Sequence, residues 1–146
     1  MKIAEVALKY KTHVPVNDMP KIECPEDALL LLRSIWNEDT IQLREEFAII
    51  LLNNAKRCLG WSRISAGGST CTIVDVTTIF QLALLSNSNS IILAHNHPSG
   101  YLKASTADIN LTRRIKKAGG YFGIPIEDHI ILTAENYYSF RENGLV

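Results

Sequence analysis

Two strand-like stretches stand side by side in the chain, and this order limits the fold more than any other feature. Residues 45–54, "EEFAIILLNN", form a strongly apolar strand. Residues 55–65, "AKRCLGWSRIS", follow through the turn-prone "NNAK" and pair with them as a hairpin. Only after this pair does the chain settle into alternating helices and strands. A purely parallel, doubly wound sheet has no place for such a hairpin. The order fits an α/β chain with a mixed sheet and helices packed around it.

The remaining segments carry their own signals. In "CPEDALLLLRSIWN", Pro25 suits an early helical position, and Glu26 and Asp27 suit the first turn. In "VDVTTIFQLALLSNS", Val76, Ile79, Phe80 and Ala83 repeat at helical spacing. "SIILAHNH" reads as a short buried strand. "STADINLTRRIKKAGGYFG" opens on a cap-like Ser105 and predicts a helix that stops at Gly119-Gly120. "IEDHIILTAENYYSF" predicts a strand region containing a turn. At the N-terminus, "KIAEVALKYKTH" is partly alternating and predicts an edge strand, and "VPVNDMPKIECPEDA" reads as an extended linker. The expected order is β, α, β, β, α, β, α, β, β. Residues 1–23 form an N-terminal extension and residues 24–146 a single domain.

Composition narrows the function classes. Fifteen basic and fifteen acidic residues cancel, so no global attraction draws the chain to nucleic acid or a membrane surface. No apolar run approaches the ~20 residues of a membrane span. Glu5, Lys9 and Lys11 make the N-terminus a poor signal peptide, and the cytoplasm is the expected location. Cys24, Cys58 and Cys71 form no CxxC pair and are expected to be buried thiols.

The chemistry concentrates at "LAHNHPSG". On a strand, His95 and His97 share a face and Asn96 points away. Two imidazoles on one face can share a divalent ion, but a catalytic zinc takes three protein ligands and a water. Asp108 is the nearest acid downstream, on a helix that the intervening loop can fold back. Ser105 and Asp108 also make a capping arrangement that needs no metal, and His-Asn-His before Pro98 equally reads as a polar turn. Consecutive His-Asn-His is weak evidence for nuclease chemistry, which spreads its named residues over a larger unit.

His95, His97, Pro98, Ser105 and Asp108 together resemble the His-x-His-Pro…Ser-x-x-Asp signature of the JAB/MPN metalloprotease-like domains, also called JAMM. Within that group the chain is similar to the RadC-like JAB domains of bacteria. "REEFAIILLN", "ISAGGST", "SIILAHNHPSG", "SxxDINLTRRIKKAG" and "IEDHIILT…YYSF" follow that family in order and spacing, from about residue 24 onward. The resemblance implies a cytidine-deaminase-like sandwich, with helices flanking a mixed, largely antiparallel sheet. It implies one Zn²⁺ held by His95, His97 and Asp108, with water as fourth ligand. Ser105 matches the serine that supports the oxyanion. The upstream catalytic acid matches Glu45, two residues before the aromatic Phe47, with Glu46 as the alternative. Strand alternation allows only one of these two acids to face the metal. The implied reaction is hydrolysis of a peptide or isopeptide bond in a peptide or protein substrate.

Some residues carry blander expectations. Asn96 and Ser99 shape the turn or support the ligands. His129 is a hydrogen-bonded core histidine, His13 is exposed, and Gly67-Gly68 turn the chain. Arg113, Arg114, Lys116 and Lys117 form a solvated basic face. The chain also departs from its family. Many members carry a DNA-binding-type helical region ahead of this domain, where only about 23 residues precede the first helix here. Many also read "HPR" where this chain has Asp75, Val76 and Thr77. Neither departure touches the zinc ligands. The competing functions are an interaction module without peptidase activity and a role on DNA in repair or mobile elements, which the neutral charge does not support.

Overall fold

The computed structural model describes residues 1–7, 9–67 and 73–146. Helix α1 spans Pro25–Ile35, strands β1 and β2 span Glu46–Leu52 and Cys58–Ala66, and helix α2 spans Val76–Leu85. Strand β3 follows at Ser90–Asn96, helix α3 at Thr106–Phe122, and strands β4 and β5 at Ile126–Leu132 and Tyr137–Ser139. The five strands form one sheet in the order β2-β1-β3-β4-β5. Every neighbouring pair is antiparallel except β3 and β4, which are parallel and joined through α3. The result is the mixed, helix-flanked α/β sheet expected of a JAB-type domain.

Both faces of the central strands are covered, which is why β1 and β3 are apolar without alternation. Ala48, Ile50 and Leu52 of β1 pack with Ile92, Ala94, Ile130 and Leu132 under α1. Phe47, Ile49 and Leu51 pack with Ile91, Leu93 and Ile126 under α2 and α3. The sheet therefore has an α1 face and an α2/α3 face, and odd and even residues of β1 and β3 divide between them. A one-residue bulge leaves Ile64 unpaired, because Phe47 aligns with Ser65 and Ala48 with Arg63. The extra residue puts Arg63 on the α1 face; an unbroken register would have placed it on the other.

Four expectations are corrected. The N-terminal edge strand is absent among the described residues, and Ile3 and Val6 are exposed. Their spacing is odd, so a strand there would turn them to opposite faces, and one packed face could bury only one of them. The "linker" is partly docked: Val16–Asp18 form a 3₁₀ turn, Met19 and Ile22 are buried, and Arg57 donates to the Met19 carbonyl. Helix α3 runs through Gly119-Gly120 to Phe122 and ends at Gly123, whose φ of 68° is left-handed. Gly119 is a packing glycine, since a Cβ there would lie 2.2 Å from the Ile124 carbonyl oxygen. Cys58 is buried but Cys24 is exposed at the start of α1, contrary to expectation, and Cys71 and Gly68 lie outside the described residues. Among the described residues, no helix is long and apolar enough to cross a membrane.

Candidate metal centre

Strand β3 and the first turn of α3 meet at one end of the sheet, on its α2/α3 face. Among the described residues, His95, His97 and Asp108 form a group whose potential ligand atoms all lie within 4.8 Å of one another. His95 Nε2 is 2.9 Å from His97 Nε2 and 3.2 Å from Asp108 Oδ1. His97 Nε2 is 3.4 Å from Asp108 Oδ2. A tetrahedral ion with bonds of about 2.0–2.1 Å sets its ligand atoms about 3.3 Å apart, close to this triangle.

The surrounding hydrogen bonds fix where the protons sit. Thr112 Oγ1 donates to the Asp108 carbonyl at 2.7 Å, so it accepts from His129 Nδ1, also at 2.7 Å. Complete burial drives the His129 imidazole far toward its neutral form. Its Nε2 is then bare and accepts from His95 Nδ1 at 2.7 Å. His97 Nδ1 donates to the Tyr101 carbonyl at 2.7 Å. With each Nδ1 committed as a donor, an Nε2 atom without a proton presents a lone pair to the other Nε2 and to a carboxylate. Only a cation between them removes the repulsion. A metal ion does so, and without one a proton on His97 serves, since its hydrogen bond with Asp108 raises its proton affinity. Burial opposes ionisation of Asp108, but hydrogen bonds with His95 and His97 outweigh it and hold the carboxyl well below the usual range. The donor set and its geometry fit a divalent metal.

Ser105 and Asp108 form a reciprocal cap on α3. The Asp108 N–H donates to Ser105 Oγ at 3.0 Å, and the Ser105 N–H donates to Asp108 Oδ2 at 2.7 Å. Cap and metal triangle therefore use the same two residues, and the two readings of this segment do not compete. Glu45 sits just before β1, on the odd-numbered side. It lines a cleft of ≈ 600 Å³ with His95, His97, Ser105 and Asp108. Burial pushes its carboxyl up, while the charges of His95 and His97 pull it back. Glu46 is buried on the α1 face, with oxygens 2.9 Å from Arg44 Nε and from Arg63 Nε.

Asn96 also faces the α1 side and is fully buried. Ser99 makes a 3.4 Å turn contact with the Tyr101 N–H. His13 is exposed, and Gly67 donates its N–H to the Glu45 carbonyl. Arg113, Lys116 and Lys117 are exposed on α3, but Arg114 also lines the cleft. Sequence reading gave His129 a core role and passed over Thr112. The spacing of Asp108 and Thr112, one helical turn apart, was the available signal.

Comparison with known proteins matches most of the chain. The profile of the RadC-like JAB domain matches residues 22–145. A UPF0758 protein of Flavobacterium johnsoniae is 39% identical over 127 residues, covering 87% of this chain and 54% of that protein. A UPF0758 protein of Clostridium beijerinckii is 36% identical over 146 residues, covering 100% of this chain and 62% of that protein. One from Rubrobacter xylanophilus is 38% identical over 128 residues, covering 87% and 54%. The chain thus spans a little over half the length of these relatives.

Proposed function

The chain belongs to the RadC-like JAB domain family, and on that premise we propose that it is a cytoplasmic zinc hydrolase cleaving peptide or isopeptide bonds. One observation carries the reading: His95 Nε2, His97 Nε2 and the Asp108 carboxylate converge, their potential ligand atoms all within 4.8 Å of one another. The chemistry a zinc ion supplies when bound there is a water acidified toward neutral pH and a polarised carbonyl. His95, His97 and Asp108 would hold it and leave a position open.

The chain's other groups have defined tasks. Glu45 takes a proton from the attacking water as the water oxygen bonds to the carbonyl carbon. It returns that proton to the nitrogen as the C–N bond breaks. Burial raises its proton affinity, which suits both halves of the exchange. Ser105 Oγ accepts the cap hydrogen bond from Asp108, so its O–H remains to donate to the carbonyl oxygen as that atom gains charge. Phe47, Val74 and Leu111 give the cleft apolar walls that limit competing water.

The test joins metal analysis with a cleavage screen over peptide and isopeptide libraries. Wild type is expected to bind one zinc and cleave, and E45Q to bind zinc with a residual, measurable cleavage at least about 10³-fold slower. A protein that takes up no zinc at micromolar concentration overturns the reading. Activity lost in E46Q but kept in E45Q reassigns the base.

A further inference from the structure

We propose that Asn96, the residue between the two histidines, positions the Glu45 carboxylate by gripping the backbone on both sides of it. This rests on the reading of Glu45 as the proton-transfer group. Asn96 Nδ2 donates to the Arg44 carbonyl at 2.8 Å and to the Ile41 carbonyl at 2.7 Å. Its Oδ1 accepts from the Glu46 N–H at 2.8 Å. The Arg44 carbonyl belongs to the peptide before Glu45, and the Glu46 N–H to the peptide after it. A third anchor comes from just beyond β2, where the Gly67 N–H donates to the Glu45 carbonyl at 2.9 Å. The peptide planes flanking the Glu45 Cα are thereby fixed, and with them the direction its side chain leaves the chain.

The sheet shows why a side chain is needed. The β1–β3 ladder pairs Phe47 with His95 and goes no further. Glu45 and Glu46 lie beyond its end, where a strand ordinarily frays. Asn96, one residue past His95, continues the ladder with its amide in place of backbone. Both N–H groups and the carbonyl are used, in a site with no solvent access. Aspartate is isosteric but would set a carboxylate against two carbonyl oxygens. Leucine would leave three buried backbone groups unpaired. Because Asn96 sits between His95 and His97, one dipeptide unit sets the ligands on one face and holds the base from the other. Their separation is then set by one strand end and the segment it grips.

The test is a double-mutant cycle on zinc-loaded protein, using a fluorogenic peptide found in the cleavage screen. N96D is expected to lose about 10²-fold in kcat, the scale of a ~1 Å misplacement, with KM and zinc affinity within about threefold of wild type. In an E45Q background the same change is expected to cost nothing further, because Asn96 acts through Glu45. Equal losses in both backgrounds, or a zinc affinity that falls in step with kcat, overturn the proposal. If N96D does not fold, N96S leaves room for a bridging water and serves the same cycle. If wild type cleaves no peptide, the functional reading fails, and the positioning claim is judged separately from crystal structures of zinc-loaded wild type and variant. A Glu45 carboxylate displaced from the zinc by about 1 Å in the variant supports it, and an unmoved one overturns it.

Discussion

Glu45 and Glu46 are adjacent acids with opposite environments. Glu45 is half-buried in the cleft with His95, His97 and Asp108. Glu46 is buried on the other face of the sheet between Arg44 and Arg63. The same division runs through β3, where His95 faces the cleft and Asn96 grips the backbone at the start of β1, around both acids. One side of this strand end holds groups left incompletely satisfied, which is what chemistry requires. The other holds groups whose partners are all protein. On the proposed reading, the reactive side depends on a structural side one residue away.

Substitutions that separate the two faces test this division, beginning with the largest effect. E45Q is expected to lower kcat by at least about 10³-fold with zinc binding intact, in a steady-state assay beside metal analysis. Ser105 comes next, because it caps α3 and is the proposed donor to the carbonyl oxygen. S105D keeps a cap acceptor and removes the hydroxyl donor, so a rate loss of about 10²–10³ with little change in melting temperature separates the two duties. A T112V change leaves His129 Nδ1 without its acceptor, and zinc affinity is expected to fall about 10-fold in chelator competition. On the opposite face, E46Q is expected to leave kcat within about threefold. It should cost about 1–2 kcal/mol of stability, since both arginines are partly exposed and solvent screens the pair. A catalytic loss in E46Q without a stability loss breaks the comparison.

The smallest expected effect is a pH dependence of the metal-free protein. The Asp108 carboxyl is held low, so its stabilising contribution is present above its ordinary value near 3.8 and is lost as pH falls through the folded value. The His97 proton affinity is raised, so its contribution is full below 6.5 and is lost as pH rises through the folded value. The pair therefore stabilises the metal-free fold most between about pH 4 and 6.5. D108N should flatten that maximum in thermal melts, and saturating zinc should move the optimum to higher pH because His97 must shed its proton to bind metal.

Much of this was legible in the chain. The hairpin ahead of the alternating segments dictated a mixed sheet, and period-2 alternation put His95 and His97 on one face with Asn96 on the other. Ser105 and Asp108 stood at cap spacing on a helix whose start was plain. The helix end was misread because Gly119-Gly120 resembles a stop signal, and only the approach of the Ile124 carbonyl explains a glycine inside α3. The N-terminal segment was misread because partial alternation says nothing about whether a sheet edge is available to it.

Local sequence thus determined which residue types were present and, through the periods of strand and helix, which of them shared a face. Tertiary structure alone decided what each face met. It set Asn96 against the backbone on both sides of Glu45, and it used a bulge to swing Arg63 toward Glu46. It also linked His95 through His129 and Thr112 to the carbonyl of Asp108. Apart from Thr112 and Asp108, which are one helical turn apart, these contacts join residues from 17 to 52 positions apart. Hydrogen bonds at such separations leave no periodic trace in a sequence, because they depend on strand order and register.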